Sequence, residues 1–193
     1  MSSTFKETVK ADYLRYGKPL TWRMMLYSYI VHPGFRTTLW YRIARHCHQS
    51  PRLRPFAKLA TLCLIRQQHK TGITINPITD IGPGLYIPHP GCIVINPHCK
   101  IGRNLYLSHD VLLGKAHAGA RQGSPEVGDD VFLGAGARLL GKLTIGDNAA
   151  IGANAVVITD IPPNTFAAGA PAKVVKNIGA REILGIQEGS EYA

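Results

Sequence analysis

The central and C-terminal parts of the chain carry an aliphatic residue at every sixth position. The later run consists of Val127, Leu133, Leu139, Ile145, Ile151 and Val157. The earlier run consists of Ile75, Ile81, Ile87 and Ile93, followed after a slip of two residues by Ile95, Ile101, Leu107 and Leu113. A period of six matches neither the 3.6-residue turn of an α-helix nor the two-residue repeat of a strand. It predicts a solenoid of short strands and tight turns, in which three repeats form one coil and neighbouring coils bury each other's aliphatic side chains.

The first 72 residues have helical periodicity instead of the six-residue repeat. Apolar residues recur at helical spacing in 37–49 and 56–70, and a Ser-Pro breaker separates the two segments. Thr4 and Glu7 have the spacing of a capping box, which predicts the start of a first helix. We expect the core of this helical part to include the aromatic residues Trp22, Trp40, Tyr41 and Phe56.

These patterns divide the chain into three parts. We predict a basic α-helical subdomain at 1–72, a β-helix domain at 73–178, and a C-terminal helix and tail at 179–193. Residues 114–126 interrupt the six-residue repeat and contain glycine and proline. We therefore expect a loop extruded from the coils, since long functional loops are the usual exception to short connections.

Positive charge is concentrated in the helical subdomain. Residues 1–72 carry 13 Lys and Arg against two acidic residues, a net charge of +11, whereas the remaining residues sum to −1. Such asymmetry favours an anionic partner, and a phosphate-bearing ligand, an acidic glycan and a membrane surface are open alternatives. A basic face that only keeps the protein soluble is a further alternative. We expect no nucleic-acid partner, because no recognisable binding motif accompanies the charge.

Cysteines and apolar runs bear on the cellular compartment. The four cysteines form no CxxC pair, which favours free thiols in a reducing cytoplasm over disulfides or a zinc site. No apolar run is long enough for a membrane-spanning helix, and the first residues lack the apolar region of a secretory signal. We therefore expect a cytoplasmic protein, with peripheral contact at the inner membrane face as an open alternative.

Residues 73–175 resemble the catalytic half of serine acetyltransferases and of the serine-acetyltransferase-like enzymes that modify polysaccharides. The resemblance is carried by INPITDIGPGLYIPHPGCIVINPHCKIGRNLYLSHDVLLG, by VGDDVFLGAGARLLGKLTIGDNAAIGANAVV and by the ending AGAPAKVV. It implies a mainly β fold, the left-handed parallel β-helix, with a small N-terminal α-helical subdomain and a short C-terminal helix. It also implies an O-acetyltransferase that uses acetyl-CoA, needs no metal, and forms a homotrimer with active sites between subunits.

In this family the catalytic base is a histidine in a coil turn, and the resemblance places that role on His89 in GLYIPHPG. An imidazole has a pKa near neutrality and can accept the proton of an acceptor hydroxyl. Pro88 and Pro90 restrict the backbone on both sides of His89 and thereby its direction. We expect a backbone carbonyl or Asp80 to orient the imidazole.

His109 lies 20 residues after His89, which is one coil plus the slip of two residues. We therefore expect the two imidazoles to lie one coil apart on the same edge of the solenoid. Further acceptor-binding candidates are His117 and Arg121 in the extruded loop, from which they would reach the groove of a neighbouring subunit. The phosphates of CoA require cations and backbone amides. With the resemblance, this gives the acetyl-CoA-binding candidates Gly114, Gly134, Ala135, Lys142, Ala153, Lys173 and Lys176.

The sequence departs from the serine-specific members where they carry charged groups. Pro88 replaces an aspartate, Thr74 replaces another, and Gly123-Ser124 replace an arginine-histidine pair. A zwitterionic amino acid requires paired charges, so we expect the acceptor to be a sugar hydroxyl in polysaccharide biosynthesis. A true serine O-acetyltransferase of cysteine biosynthesis is the alternative.

Two other classes of function compete with these. A non-catalytic β-helix scaffold would have flat, regular faces, and the extruded loop and the proline-flanked histidine disfavour it. Carbonic-anhydrase-like chemistry on the same fold would need three histidines that converge on a metal at a subunit interface. The available residues are His89, His98, His109 and His117.

Overall fold

A computed structural model describes residues 4–186 of the chain. Its N-terminal part consists of α1 (Phe5–Leu14), α2 (Trp22–Val31), α3 (Pro33–Gln49), a 3₁₀ turn (Arg54–Phe56) and α4 (Ala57–Thr71). The capping box is confirmed, because the Glu7 amide donates to the Thr4 hydroxyl at 3.3 Å and the Thr4 amide to the Glu7 carboxylate at 2.8 Å. None of the described helices is long and apolar enough to cross a membrane.

Short strands follow the helices and form the rest of the described chain up to a final helix. The strands are β1 (Ile73–Ile75), β2 (Asp80–Ile81), β3 (Ile93–Ile95), β4 (Lys100–Ile101), β5 (Tyr106–Leu107), β6 (Leu112–Gly114), β7 (Glu126–Val127), β8 (Phe132–Leu133), β9 (Arg138–Leu140), β10 (Thr144–Ile145), β11 (Ala150–Ile151), β12 (Val156–Val157), β13 (Phe166–Gly169) and β14 (Ala172–Lys176). Helix α5 (Ala180–Ile183) comes last.

The strands form three sheets that are the faces of a triangular prism. Sheet A has the order β1-β3-β6-β9-β12, sheet B has β10-β7-β4-β2, and sheet C has β14-β13-β11-β8-β5. All pairs are parallel except the terminal hairpin of β13 and β14. The chain visits the sheets in the order A, B, C, so three edges connect them.

Two of these edges concern function. The C–A edge is formed by the turns that lead from sheet C to sheet A, at 88–92, 108–111, 134–137 and 152–155. The A–B edge is formed by the turns that lead from sheet A to sheet B, and it includes the extruded loop at 115–125.

The core is the column of aliphatic residues inside the prism. On sheet A, Ile75, Ile95, Leu113, Leu139 and Val157 occupy equivalent positions in successive coils. All five are almost completely buried. Each coil therefore covers the apolar surface of the next, which is the favourable term that holds a solenoid together.

The slip in the repeat lies in the turn that carries His89. Tyr86 pairs with Tyr106 and Val94 pairs with Leu112, so the chain takes eight residues where the next coil takes six. The sequence places this slip after Ile93, whereas the structure places the two additional residues before it. The reason is that β3 buries two of its residues, as β1 does, and the sequence pattern does not tell which of them continues the repeat.

The prediction for the aromatic residues of the helical part is half wrong. Tyr41 is completely buried and Trp40 packs against the core, but Trp22 is 71% exposed and Phe56 is 59% exposed. The buried residue of α2 is Ser28. Helix α2 therefore exposes apolar side chains on its outer face. Three of them, Trp22, Leu26 and Ile30, form a row that we call the α2 stripe.

A buried ion pair fastens the helices to the first coil of the prism. The Arg42 guanidinium of α3 donates to the Asp12 carboxylate of α1 at 2.8 and 3.0 Å. It also donates to the carbonyls of Ile81 and Gly82, each at 2.6 Å. Asp12 and Arg42 are only 1% and 4% exposed, so the pair is shielded from solvent and joins two helices to the β-helix.

Candidate functional site

The C–A edge brings five of the predicted site residues together, with Gly134 and Ala135 in the same turn. His89, His109, Ala135 and Ala153 lie in its four successive turns. Backbone hydrogen bonds link these turns: the Asp110 amide donates to the turn of His89 at 2.8 Å, and an amide of the third turn donates to the His109 carbonyl at 3.1 Å. The carbonyl of Ala135 accepts from the fourth turn at 2.8 Å. His89 and His109 therefore lie one coil apart on one edge.

His89 is exposed at this edge. Within residues 4–186, no carboxylate is hydrogen-bonded to its imidazole. Asp80, the carboxylate proposed to orient it, lies on sheet B and forms an ion pair with Arg45 of α3. That part of the sequence prediction is wrong, because Asp80 belongs to a different face of the prism.

Small residues keep the C–A edge narrow next to the histidines. A Cβ atom added to Gly134 would lie 2.8 Å from the Ala153 nitrogen, and Gly136 has a φ of 76°, which L side chains rarely adopt. An extended ligand can approach the backbone closely at such an edge. Of the predicted acetyl-CoA residues, Gly134, Ala135 and Ala153 lie at this edge. Lys173 pairs with Ala168, near the end of β13 that is closest to the C–A edge.

The other predicted site residues lie elsewhere in a single chain. Gly114 and Lys142 lie beside the extruded loop at the A–B edge, and Lys176 pairs with Phe166 at the opposite end of sheet C. The structure therefore does not bring these three residues to His89 within one subunit.

The extruded loop is partly fastened to its own coil. The Arg121 guanidinium donates to the Asp160 carboxylate and to the Lys142 carbonyl, both at 3.1 Å. The Thr144 amide, together with Arg121, lowers the pKa of Asp160. His117 is exposed near the tip of the loop. Arg121 thus turns back towards its own prism, whereas His117 points to no partner that the described chain supplies.

Sequence reasoning missed a row of aromatic residues on sheet C beside the histidines. The ring of Tyr86 lies 4.8 Å from Tyr16 and 5.0 Å from Tyr106, which in turn lies 5.0 Å from Phe132. Burial is the main cause that raises the pKa of Tyr86, and the neighbouring Tyr106 raises it further. A signal was present, because Tyr86 and Tyr106 precede His89 and His109 by the same three residues.

The described part of one subunit contains no cluster of metal ligands. Among residues 4–186, no three His, Cys, Asp or Glu side chains are close enough to hold a metal ion. The four cysteines are free, and Cys47 and Cys99 are buried.

Comparisons with known proteins agree with this geometry. The family model of bacterial transferase hexapeptides, described as six repeats, matches residues 124–159. Serine acetyltransferase from Helicobacter pylori strain J99 is 36% identical over 154 residues, which cover 80% of this chain and 85% of that protein. The Mycobacterium tuberculosis serine acetyltransferase is 38% identical over 105 residues, covering 54% of this chain and 46% of that protein.

Solved structures give the same result over a larger part of the chain. The crystal structure of Neisseria gonorrhoeae serine acetyltransferase has a TM-score of 0.75 at 28% identity and covers 96% of this chain and 70% of that chain. Soybean serine acetyltransferase complexed with serine has a TM-score of 0.73 at 31% identity, covering 89% of this chain and 69% of that chain.

The prism and its histidine-bearing edge define a hexapeptide-repeat acyltransferase with a left-handed β-helix, so the predicted fold class is confirmed. Within this class, the chain belongs to the serine acetyltransferase family. It is an acyltransferase that uses acetyl-CoA as its co-substrate.

Proposed function

We propose that the chain transfers the acetyl group of acetyl-CoA to the hydroxyl of L-serine, the reaction that feeds cysteine biosynthesis. The observation that carries this proposal is the 36% identity to a serine acetyltransferase over 85% of that relative's length, since the match includes helices as well as coils. Two of the similar structures are serine acetyltransferases in complex with serine. This acceptor replaces the sugar as the first candidate.

His89 acts as the general base in this proposal. Its imidazole takes the proton of the serine hydroxyl while the hydroxyl oxygen attacks the thioester carbonyl of acetyl-CoA. The tetrahedral intermediate then collapses, the bond from carbon to sulfur breaks, and the thiolate of CoA leaves with the proton returned by the imidazolium. The products are O-acetylserine and CoA, and no other reactant is needed.

A homotrimer completes the site in this proposal. His89 and the small residues of the C–A edge would form one wall of a groove, and the loop at 115–125 of the adjacent subunit would form the other. His117 and Lys142, which lie at the A–B edge of their own chain, would reach His89 only in this way. The separation of the two edges within one subunit supports a shared site.

A sugar hydroxyl is the second candidate acceptor. The observation in its favour is that His89 is preceded by Pro88 and has no carboxylate partner among the described residues. The row formed by Tyr86, Tyr106 and Phe132 would supply the apolar surface on which a sugar ring stacks. Neutral hydrogen bonds and stacking suit a sugar, whereas paired charges suit an amino acid.

The test is the consumption of acetyl-CoA by the full chain with L-serine, nucleotide sugars and oligosaccharides as separate acceptors. We expect turnover with L-serine and identification of O-acetylserine by mass spectrometry. Glycine, which lacks the hydroxyl, is the matched control and should give no acetylated product. Turnover of a sugar in the absence of turnover of L-serine would overturn the proposal in favour of the second candidate.

Peripheral contact with an anionic membrane is a separate proposal, supported by the charge of +11 in residues 1–72 and by the exposed α2 stripe. An amphipathic helix with Trp, Leu and Ile on one face inserts at the level of the headgroups, and nearby cations contribute about 1 kcal/mol each at an anionic surface. We expect co-sedimentation with vesicles that contain phosphatidylserine, weakened by salt and by Trp22→Ala/Ile30→Ala. Equal recovery with neutral phosphatidylcholine vesicles would contradict it.

A further inference from the structure

The turn that carries His89 depends on contacts from outside the β-helix. It is two residues longer than the corresponding turn of the next coil. Pro88 and Pro90 have no amide hydrogen and cannot donate hydrogen bonds that would fix the turn from within. The next coil holds the turn at one point after His89, where the Asp110 amide donates to the Gly91 carbonyl at 2.8 Å. The position of the imidazole therefore depends also on how the start of the turn is held.

The helical subdomain contacts both ends of this turn. At the far end, the Ile93 amide donates to the carbonyl of Gly72, directly after α4, at 2.9 Å. At the near end, the Tyr16 hydroxyl donates to the carbonyl of Ile87 at 3.1 Å, across 71 positions of sequence. Ile87 is two residues from His89, so this hydrogen bond lies immediately before the turn.

The first turn of helix α3 contacts the same carbonyl, that of Ile87. A Cβ atom added to Gly34 would lie 2.0 Å from the Ile87 oxygen, so the start of α3 is in direct backbone contact with Ile87. The Ile87 oxygen is therefore confined on one side by Gly34 and held by Tyr16.

The side chain of Tyr16 is itself held in place. Its ring packs against Tyr86 at 4.8 Å, His32 at 5.0 Å and Phe35 at 5.6 Å. Burial raises the pKa of Tyr16 far above its ordinary value, so the hydroxyl remains a neutral donor at physiological pH. Ordered rings on several sides leave the hydroxyl few directions other than the Ile87 carbonyl.

We propose that Tyr16 is a positioning residue for catalysis: by holding the Ile87 carbonyl, it fixes the start of the turn and thereby the imidazole of His89. Tyr16 does not touch the substrates and acts through His89. The inference rests on the proposed function in one respect, which is the role of His89 as general base.

Tyr16→Phe is the informative variant, and Tyr13→Phe is its matched control. Phenylalanine keeps the ring contacts and removes the hydroxyl. Tyr13 lies on α1, its ring also lies 5.6 Å from Phe35, and its hydroxyl donates to the Pro19 carbonyl at 2.8 Å. The control therefore loses a similar hydrogen bond from the same region, but one that does not reach the turn of His89.

The kinetic result separates positioning from stability. Misplacement of a catalytic group by a fraction of an ångström lowers the rate, so we expect Tyr16→Phe to lower kcat about 10-fold while Tyr13→Phe changes it less than about 2-fold. The KM for acetyl-CoA should change less than about 2-fold in both variants, since neither residue binds the donor. Equal loss of kcat in both variants would show that Tyr16 acts only through stability and would overturn the inference.

A double-mutant cycle tests whether Tyr16 acts through His89. In the His89→Ala background, Tyr16→Phe should lower the residual kcat by less than about 2-fold, because the group that it positions is absent. A further 10-fold loss in that background would contradict the inference. If His89→Ala itself retains normal turnover, the general base of the proposed function fails, and this outcome is distinct from failure of Tyr16 alone.

A second readout needs no acceptor. In protein labelled with ¹³C-histidine, the His89 ring signal is assigned by its loss in His89→Ala. We expect Tyr16→Phe to shift that signal and Tyr13→Phe to leave it in place. An unchanged His89 signal in Tyr16→Phe would overturn the inference whatever the acceptor is.

Discussion

Removal of the Asp12 carboxylate should be among the most destabilising single changes in the chain. In Asp12→Ala the Arg42 guanidinium, which is 4% exposed, keeps its charge and loses both hydrogen bonds to the carboxylate. The amides of Gly84 and Leu85, which donate to Asp12 at 2.9 and 2.8 Å, lose their acceptor as well. The Arg42 guanidinium and the two amides are thus three buried donor groups that lose the carboxylate acceptor. That acceptor had compensated the cost of removing them from water.

The magnitude follows from the burial of the pair. Breaking a buried ion pair on one side costs about 3–5 kcal/mol, because the remaining charge is uncompensated. For a chain of this size each kcal/mol lowers Tm by about 2–4 °C. Together these values predict that the Tm of Asp12→Ala lies about 6–20 °C below that of the wild type.

Thermal unfolding followed by circular dichroism measures this difference. Protein concentration must be equal for all variants, because the stability of an oligomer depends on it. Asp80→Ala is the matched control: it breaks the ion pair with Arg45 at the same junction, but the Asp80 side chain is 69% exposed. Exposed ion pairs contribute about 0–1 kcal/mol, so the control should lose no more than about 4 °C.

The reasoning is refuted if Asp12→Ala and Asp80→Ala lose the same small amount. A double variant tests the cause more closely. Asp12→Ala/Arg42→Met removes the uncompensated guanidinium, and it should therefore be more stable than Asp12→Ala alone. A double variant that is less stable than the single one would show that the hydrogen bonds from Arg42 to the Ile81 and Gly82 carbonyls outweigh the cost of its uncompensated charge.

Three further results are expected. His89→Ala should lower kcat by about 10²–10⁴-fold, the usual contribution of a general base, while calorimetry shows unchanged binding of CoA; near-normal turnover would contradict the role of His89. Light scattering should give three times the chain mass of 21.0 kDa, and a value of six times that mass would contradict the homotrimer. Iodoacetamide should modify the exposed Cys92 well before the buried Cys99, because burial raises the pKa of the Cys99 thiol to about 12. Peptide mass spectrometry measures the order of modification, and earlier modification of Cys99 would contradict the prediction.

The repeat could be predicted from the sequence because it is a local property. Each group of six residues contains its own buried aliphatic residue and its own turn, as Val127 and Leu133 illustrate. No distant contact is needed to decide which residue of the group faces the axis. The same locality explains why the spacing of 20 residues between His89 and His109 predicted that the two lie one coil apart on the same edge.

Burial in the helical subdomain could not be predicted in this way. Trp22 and Tyr41 are both large aromatic residues on helices, yet the first is mostly exposed and the second completely buried. Helical periodicity shows which residues share a face. Whether another element covers that face depends on how the helices pack, and α2 turns its apolar stripe away from α3.

The sequence by itself determined the coiled fold, because the six-residue repeat is a local pattern, and its resemblance to serine acetyltransferases indicated the class of chemistry and His89 as the candidate base. Only the tertiary structure decided that Asp80 pairs with Arg45, that the extruded loop and His89 lie on different edges, and that Tyr16 reaches the carbonyl of Ile87. These are contacts between segments far apart in the chain. These contacts form only when whole helices pack against the prism. Many residues each contribute a small part of the packing energy, so no local sequence pattern specifies the contacts.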